Sequence, residues 1–211
     1  MDIAWNVMEI VAAIQHMHSL GIVHGDLKPS NILCKGPRRV LCDLGHAFEE
    51  SNPPSCMVGT PYYAAPECLM CKPQMRSDLW SLGVIIYEMI MSVRPFSNST
   101  LAGLTNFLNR DEYEPPIPKP RIVSDRLNQC VVGLLQQAPE ARLSLSGVMS
   151  EAKDCVNHCV TVQVYTCSVR RVCPCHNVLS AHPDFVRAYG RTVNASSSLL
   201  LLSCPNHRRP P

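Results

Sequence analysis

The sequence predicts an α+β fold that is mainly α-helical and contains one small hairpin, followed by a tail of a different kind. In several segments before residue 152, apolar residues recur at spacings of three and four, the period of a helix with one buried face. Two short apolar runs, 32–34 and 40–42, flank a turn-like sequence and supply the hairpin. A length of 211 residues suffices for one domain with a core plus a tail.

Charge and composition exclude two classes of protein. Lys and Arg number 19 against 17 Asp and Glu, so the net charge is too small for a nucleic-acid binder that works by neutralising phosphates. With 46% apolar and 17% charged residues, the chain is not disordered throughout. Residues 1–152 hold 12 basic and 15 acidic residues, and residues 153–211 hold 7 and 2. We therefore predict a domain over 1–152 and a cysteine-rich basic tail over 153–211.

No membrane or export segment is evident in the sequence. A bilayer span needs roughly 20 apolar residues, and a signal peptide needs a basic segment before its apolar one; neither is found. The 12 cysteines are therefore expected to be reduced thiols. We expect a cytoplasmic or nuclear protein with no membrane partner.

The first elements follow from periodicity and turn residues. Residues 3–18 are expected to form a helix, with Gly21 placed where a left-handed cap would end it. The segments 32–34 and 40–42 should form the two strands of the hairpin. Residues 49–61 are rich in Ser, Asn and Pro and are expected to be a loop.

The second half of the domain is expected to be helical. Residues 79–91 are apolar nearly all round, which indicates a helix at the centre of the core, with Ser77 or Asp78 as its N-cap. Further helices are expected over 100–109, 124–137 and 144–155, the last capped by Ser144, with a proline-rich loop over 111–120.

The tail offers weaker patterns. Valines alternate with other residues over 160–164, which predicts a strand. Zinc sites use four thiolate or imidazole ligands, commonly in closely spaced pairs, and the spacings here fit loosely. Because Cys155 also falls in a predicted helix, a tail without a metal site is the favoured interpretation. The residues weighed as ligands are Cys155, His158, Cys159, Cys167, Cys173, Cys175 and His176.

The segment His24 to Leu33, HGDLKPSNIL, carries the strongest chemical signal. It places Asp26, Lys28 and Asn31 within one short loop. Phosphoryl transfer needs such a set: a carboxylate for a hydroxyl, a cation for the phosphoryl group and an oxygen ligand for Mg²⁺. Asp43 follows the second strand, so its carboxylate can project toward a metal.

Four blocks in order resemble the large lobe of a eukaryotic protein kinase of the serine/threonine type. They are HGDLKPSNIL, LCDLGHA, GTPYYAAPE and SDLWSLGVIIYEM. APEARLS (138–144) is similar to a late arginine motif of the same family. The resemblance covers roughly residues 1–152. It implies a protein-kinase-like large lobe with a small catalytic-loop hairpin and with the small lobe absent.

The resemblance implies a role for each matching residue. Asp26 would accept or orient the proton of the substrate hydroxyl, and Lys28 would lie near the transferred phosphate. Asn31 and Asp43 would hold Mg²⁺, and Leu33 would pack under the adenine of ATP.

Supporting residues follow from the same resemblance. Thr60 would hydrogen-bond toward Asp26 and help to define a serine or threonine acceptor. His24, Leu44 and Asp78 would support the catalytic loop from behind. Glu67 and Arg142 would form a buried ion pair between the substrate-side segment and the helical core.

The sequence departs from the family pattern in three places. Only 23 residues precede His24, and the chain contains no Gly-rich phosphate loop and no VAIK-like lysine strand. Gly25 stands where the family usually has arginine, and Leu44 where it usually has phenylalanine. Either the chain is a fragment of a kinase, or ATP chemistry has been lost. Because the acidic, basic and amide residues of the loop are all kept, a fragment of an active kinase is favoured.

The sequence therefore predicts an ATP- and Mg²⁺-dependent enzyme that phosphorylates serine or threonine of protein substrates, with this chain inactive alone. The alternative is a non-catalytic, pseudokinase-like module that binds a partner through its substrate-side groove. Sequence upstream of the chain would distinguish the two. We expect a protein substrate as partner and no nucleic acid.

Overall fold

The computed structural model describes residues 3–96, 100–111, 113–118 and 125–167, with side chains described as far as residue 157. The helices are α1 (Ile3–Ser19), α2 (Pro66–Leu69), α3 (Ser77–Met91), α4 (Leu101–Leu108), α5 (Asp125–Leu134) and α6 (Leu145–Cys167). The strands are β1 (Ile22–Val23), β2 (Ile32–Lys35), β3 (Arg38–Leu41) and β4 (Phe48–Glu49). Short 3₁₀ turns cover Pro29–Asn31, Leu44–His46 and Pro139–Ala141. The prediction of a mainly helical α+β fold is confirmed.

Two small antiparallel sheets bracket the loop that contains Asp26. β2 pairs with β3, from Ile32 opposite Leu41 to Lys35 opposite Arg38, which confirms the predicted hairpin. β1 pairs with β4, in the stretch around residue 49 where the sequence predicted the start of a loop. Two-residue strands are too short to show a period of two, so no pattern could have indicated this second sheet.

The core is built around α3, as its apolar sequence predicted. Trp80, Leu82 and Ile86 are fully buried, and α3 packs chiefly against α5. A Cβ atom placed at Gly83 would lie 2.9 Å from the Cβ of Leu134, so a glycine permits this close approach of the two helices.

The first turn of α3 differs from the prediction. The helix begins at Ser77, Arg76 occupies the cap position, and no side chain caps the helix. Ser77 and Asp78 are both buried in the first turn, where their side chains bind other segments. The predicted Ser144 cap is correct, because its hydroxyl accepts a hydrogen bond from the Gly147 amide at 3.2 Å.

Two helix ends also differ from the sequence expectations. α5 ends at Leu134, three residues before the expected end, and beyond it the carbonyls of Gln136 and Gln137 accept hydrogen bonds from Arg142. α6 extends to Cys167, so the strand predicted over 160–164 is wrong. Three alternating valines are a short pattern, whereas an existing helix gains one hydrogen bond for each residue that it adds.

Most of the tail, residues 168–211, lies outside the described residues, and with it Cys173, Cys175 and His176. The boundary at residue 152 stays a prediction. Cys155 is buried in α6, and within the described part of the chain no group of three or more His, Cys, Asp or Glu residues could hold a metal ion. None of the helices described is long and apolar enough to cross a membrane.

Candidate active site

The loop that contains Asp26 is held from behind by a buried carboxylate on α3. Asp78 is only 1% exposed, and its two oxygens accept hydrogen bonds from the amides of His24 (2.9 Å) and Gly25 (3.1 Å). The Nε2 of His18, at the end of α1, donates to the same carboxylate at 2.8 Å. These three donors offset the cost of burying the charge, and they fix the loop backbone against the core as expected for Asp78.

His24 links this loop to the segment that carries Asp43. The ring is fully buried, and its Nδ1 accepts a hydrogen bond from the Asp26 amide at 3.3 Å. That acceptor role places the proton on Nε2, which donates to the carbonyl of Cys42 at 3.2 Å. The imidazole therefore acts as a rigid bridge, with the neutral tautomer set by its two backbone partners.

Asp26 lies at the centre of a dense set of hydrogen bonds. Its Oδ1 accepts from both the amide and the hydroxyl of Thr60, each at 2.8 Å. Its Oδ2 accepts from Lys28 Nζ at 2.7 Å and from Asn31 Nδ2 at 3.3 Å. Burial raises the pKa of Asp26, but the hydrogen bonds from Lys28 and Thr60 outweigh it and hold the pKa below its ordinary value. The carboxylate is therefore ionised at neutral pH and ready to accept a proton or a hydrogen bond.

Lys28 and Asn31 are oriented by the same network. Lys28 Nζ also donates to the hydroxyl of Thr60 at 2.8 Å. Asn31 donates from Nδ2 to the Asp26 carbonyl at 2.9 Å, which fixes its amide. In the part of the chain that the structure describes, its Oδ1 has a single long contact, 3.5 Å, from the hydroxyl of Ser30. The structure thus brings together four of the residues that the sequence singled out.

Asp43 lies close to this group but on a separate segment. The carbonyl of Asn31 accepts a hydrogen bond from the Cys42 amide at 3.0 Å, which places Asp43 next to the end of the loop. Asp43 is exposed and adopts a left-handed backbone with φ of 62°, which Asp tolerates better than most residues. Among the described residues, its carboxylate accepts only a long hydrogen bond, 3.4 Å, from the amide of Gly45.

Two apolar residues of the site are exposed. Leu33 on β2 has 52% of its surface accessible, and Leu44 has 57%. The expectation that Leu44 supports the loop from behind is therefore wrong, because its 3₁₀ turn places it at the rim of a groove between α1 and β3, beside Met17. Exposure of Leu33 leaves an apolar side chain open to a ligand on the hairpin side of the site.

Gly25 and Gly59 allow three backbone segments to approach closely. Both have left-handed φ angles, 75° and 83°. A Cβ atom at Gly25 would lie 2.5 Å from the carbonyl oxygen of His46, and one at Gly59 would lie 2.4 Å from the carbonyl oxygen of Gly25. The sequence showed Gly25 only as a missing cation; the structure shows that the backbone packing here requires glycine.

Glu67 and Arg142 form the buried ion pair that the sequence predicted. Arg142 is 3% exposed, and its two terminal nitrogens each donate to one oxygen of Glu67 at 2.7 Å. Its remaining donors reach the carbonyls of Arg76, Gln136 and Gln137. Ser77 adds a hydrogen bond to Glu67 at 2.7 Å. The pair therefore joins the segment after Thr60 to the α3–α5 core.

We predict that Arg142→Ala lowers the free energy of unfolding by about 3–5 kcal/mol, because Glu67 is left as a partly buried, unpaired charge. Glu67→Ala combined with Arg142→Ala should cost less than the sum of the single substitutions. Urea unfolding of the four proteins measures the coupling. Arg126→Ala is the matched control: its ion pairs with Glu151 and Asp154 are exposed to solvent, so its loss should change the free energy of unfolding little. Additive costs at Glu67 and Arg142 would contradict the coupling.

The sequence did not indicate a second polar cluster on the substrate side of Thr60. The hydroxyl of Tyr63 donates to Glu88 Oε2 at 2.6 Å, and burial together with Glu88 raises the pKa of Tyr63. The Arg94 guanidinium lies 4.5 Å from the centre of the Tyr62 ring. Aromatic and charged residues 25 positions apart (Tyr63 and Glu88) or 32 positions apart (Tyr62 and Arg94) carry no periodic signal, so only the fold could place them together.

Comparison with known proteins agrees with this geometry. A family model described as the protein kinase domain matches residues 2–159. The chain belongs to the protein kinase family. It is 35% identical over 160 residues to a probable myosin light chain kinase of Dictyostelium discoideum, covering 72% of this chain and 39% of that protein.

Two further relatives are named as protein kinases. Serine/threonine-protein kinase AtPK1/AtPK6 of Arabidopsis thaliana is 39% identical over 145 residues, which cover 66% of this chain and 30% of the relative. Human MAP kinase-activated protein kinase 2 (Homo sapiens) is 37% identical over 149 residues, which cover 65% of this chain and 37% of the relative. The chain thus spans between 30% and 39% of the length of these three kinases.

Proposed function

We propose that the protein to which this chain belongs transfers a phosphoryl group from ATP, with Mg²⁺, to serine or threonine hydroxyls of protein substrates. The observation that supports this most directly is the ionised Asp26 carboxylate, held by Lys28 and Thr60 at hydrogen-bond distances of 2.7–2.8 Å. Kinase catalysis consists mainly of positioning and electrostatic stabilisation, and this arrangement supplies both.

The available oxygen atoms suit Mg²⁺. This ion prefers carboxylate and amide oxygens and keeps several of its waters. Asn31 Oδ1 and the exposed Asp43 carboxylate each have only one long hydrogen bond among the described residues, so both retain acceptor capacity. We propose these two residues as the ligands of Mg²⁺. When bound, ATP would supply the phosphoryl group and Mg²⁺ would neutralise its charge.

The roles of the chain's own groups follow from their contacts. Asp26 orients the acceptor hydroxyl and receives its proton. Lys28, between Asp26 and Thr60, places a positive charge beside the position of transfer. The Thr60 hydroxyl and amide fix Asp26 and thereby fix the place of the acceptor.

ATP recognition by this chain is partial. Leu33 offers an exposed apolar surface for an adenine ring, but the 211 residues contain neither a Gly-rich phosphate loop nor a VAIK-like lysine strand. Groups that bind the adenine and the β-phosphate therefore have to come from residues outside these 211. This is also the observation that favours the second candidate, a pseudokinase-like module that binds a partner and transfers nothing.

We predict that the 211-residue chain, purified alone, transfers no measurable phosphate, because positioning of ATP depends on groups that it lacks. Radiolabel transfer from ATP to a generic basic protein, with Mg²⁺ present, is the measurement. The same assay on a longer version, in which a kinase small lobe precedes this chain, should show transfer that Asp43→Ala abolishes. Transfer by the isolated chain would contradict the prediction, and an inactive longer version would favour the binding module.

We further predict that the longer enzyme does not depend on phosphorylation of the loop between Asp43 and Glu67. Phosphate orders such a loop through a nearby cation, and Gly25 offers none. The kcat of a Ser51→Ala, Ser55→Ala variant should equal that of the unmodified enzyme, before and after phosphatase treatment. A tenfold loss, about 1.4 kcal/mol in barrier, would show that another cation binds a phosphate there.

A further inference from the structure

Arg94 is a cation beside the site, on the segment that follows α3. Its guanidinium lies over the ring of Tyr62, 4.5 Å from the ring centre, and the side chain is half-buried. In the part of the chain that the structure describes, no carboxylate lies within the 4.0 Å of an ion pair with Arg94, and Arg94 donates no side-chain hydrogen bond. A guanidinium carries five N–H donors, and Arg142 in the same fold uses all of its own.

Stacking on Tyr62 orders this arginine without using its donors. A cation over an aromatic face is attracted to the ring itself, which leaves the N–H groups in the guanidinium plane available. Such a fixed, planar fork matches the two oxygens of a carboxylate or a phosphate. Because the side chain is already held, less conformational entropy is lost when an anion binds.

The nearby carboxylate of Glu88 does not form an ion pair with Arg94. Glu88 accepts the hydroxyl of Tyr63 at 2.6 Å, so one of its oxygens has a short, strong partner. Arg94 lies close enough to Tyr63 to act on its pKa, in the direction opposite to Glu88. The guanidinium and the carboxylate therefore both lie near Tyr63 while remaining beyond ion-pair distance of each other.

The position of Arg94 places it within reach of a substrate. Thr60 binds Asp26, where the acceptor hydroxyl has to lie, and Tyr62 is two residues beyond Thr60. Two residues span at most about 7.6 Å between Cα atoms, and an extended peptide advances roughly 3.3 Å per residue. A substrate residue two to four positions from the acceptor therefore reaches the Tyr62–Arg94 pair.

We propose that Arg94, held by Tyr62, forms a specificity subsite for an anionic side chain of the substrate, a carboxylate or a phosphate, two to four residues from the phosphorylated serine or threonine. This subsite rests on the proposed function, because it takes Asp26 as the place of the acceptor. It gives the enzyme a preference for acidic or already phosphorylated segments over basic ones.

Peptide binding to the 211-residue chain tests the subsite without requiring ATP. Fluorescence anisotropy is measured for labelled peptides with a central serine and with Asp, phosphoserine, Ala or Lys at two to four positions on either side. We expect the Asp or the phosphoserine peptide to bind about tenfold more tightly than the Ala peptide, as charge-assisted hydrogen bonds would give, and the Lys peptide to bind no better than the Ala peptide. Whichever anionic peptide binds more tightly identifies the source of the anion.

Substitutions at Arg94 test whether this residue causes the preference for anionic peptides. Arg94→Ala should remove the preference, and Arg94→Lys, which keeps the charge but not the fork, should restore only part of it. Arg38→Ala, an equal loss of charge at the exposed first residue of β3, should leave it unchanged, and thermal unfolding checks that each variant is folded. Equal binding of all peptides, no binding, a Lys preference or a preference that survives Arg94→Ala would overturn the inference. Failure of phosphoryl transfer by the longer enzyme, with the Arg94-dependent preference intact, would overturn the proposed function alone.

Discussion

The hydrogen bonds to the Asp26 carboxylate are the interaction on which the site depends. They join the loop 24–31 to the segment 59–67 through Thr60, and within the loop they orient Lys28 and Asn31. A buried carboxylate is stable only when its oxygens are satisfied, so the two segments and the lysine hold one another in place. Among the described residues, Thr60 supplies both of the donors that bind Asp26 Oδ1.

The first turn of helix α3 supports both of the segments that this network joins. Asp78, in its first turn, binds the backbone of His24 and Gly25, while the neighbouring Ser77 binds Glu67 at the end of the Thr60 segment. Arg142 then ties Glu67 to the loop that follows α5. The most buried helix of the fold thus carries polar side chains at its N-terminus, where its dipole also favours the carboxylate of Asp78.

Sequence predicted the elements and residues that have strong local signals. α1 follows from apolar periodicity, α3 from a run that is apolar nearly all round, and the β2–β3 hairpin from two short apolar runs that flank a turn. Asp26, Lys28, Asn31 and Asp43 were singled out by residue type and spacing, although their roles stay predictions. The β1–β4 pair, the extension of α6 and the Tyr62–Arg94 contact depend on tertiary packing, which no local pattern encodes. Gly25 is instructive in this respect: its sequence context showed what it lacks, and only the position of the His46 carbonyl showed why glycine is required.

The role of Asp26 is tested most directly by the effect of Asp26→Asn on phosphoryl transfer by the longer enzyme, in which a kinase small lobe precedes this chain. Asparagine keeps the size of the side chain but cannot accept the proton. We expect kcat to fall by about 10²–10⁴-fold, the usual contribution of a positioned proton acceptor. Asp125→Asn, at the exposed start of α5, should leave kcat unchanged. An Asp26→Asn enzyme with the kcat of the unmodified protein would contradict the assignment of Asp26 and the proposed mechanism.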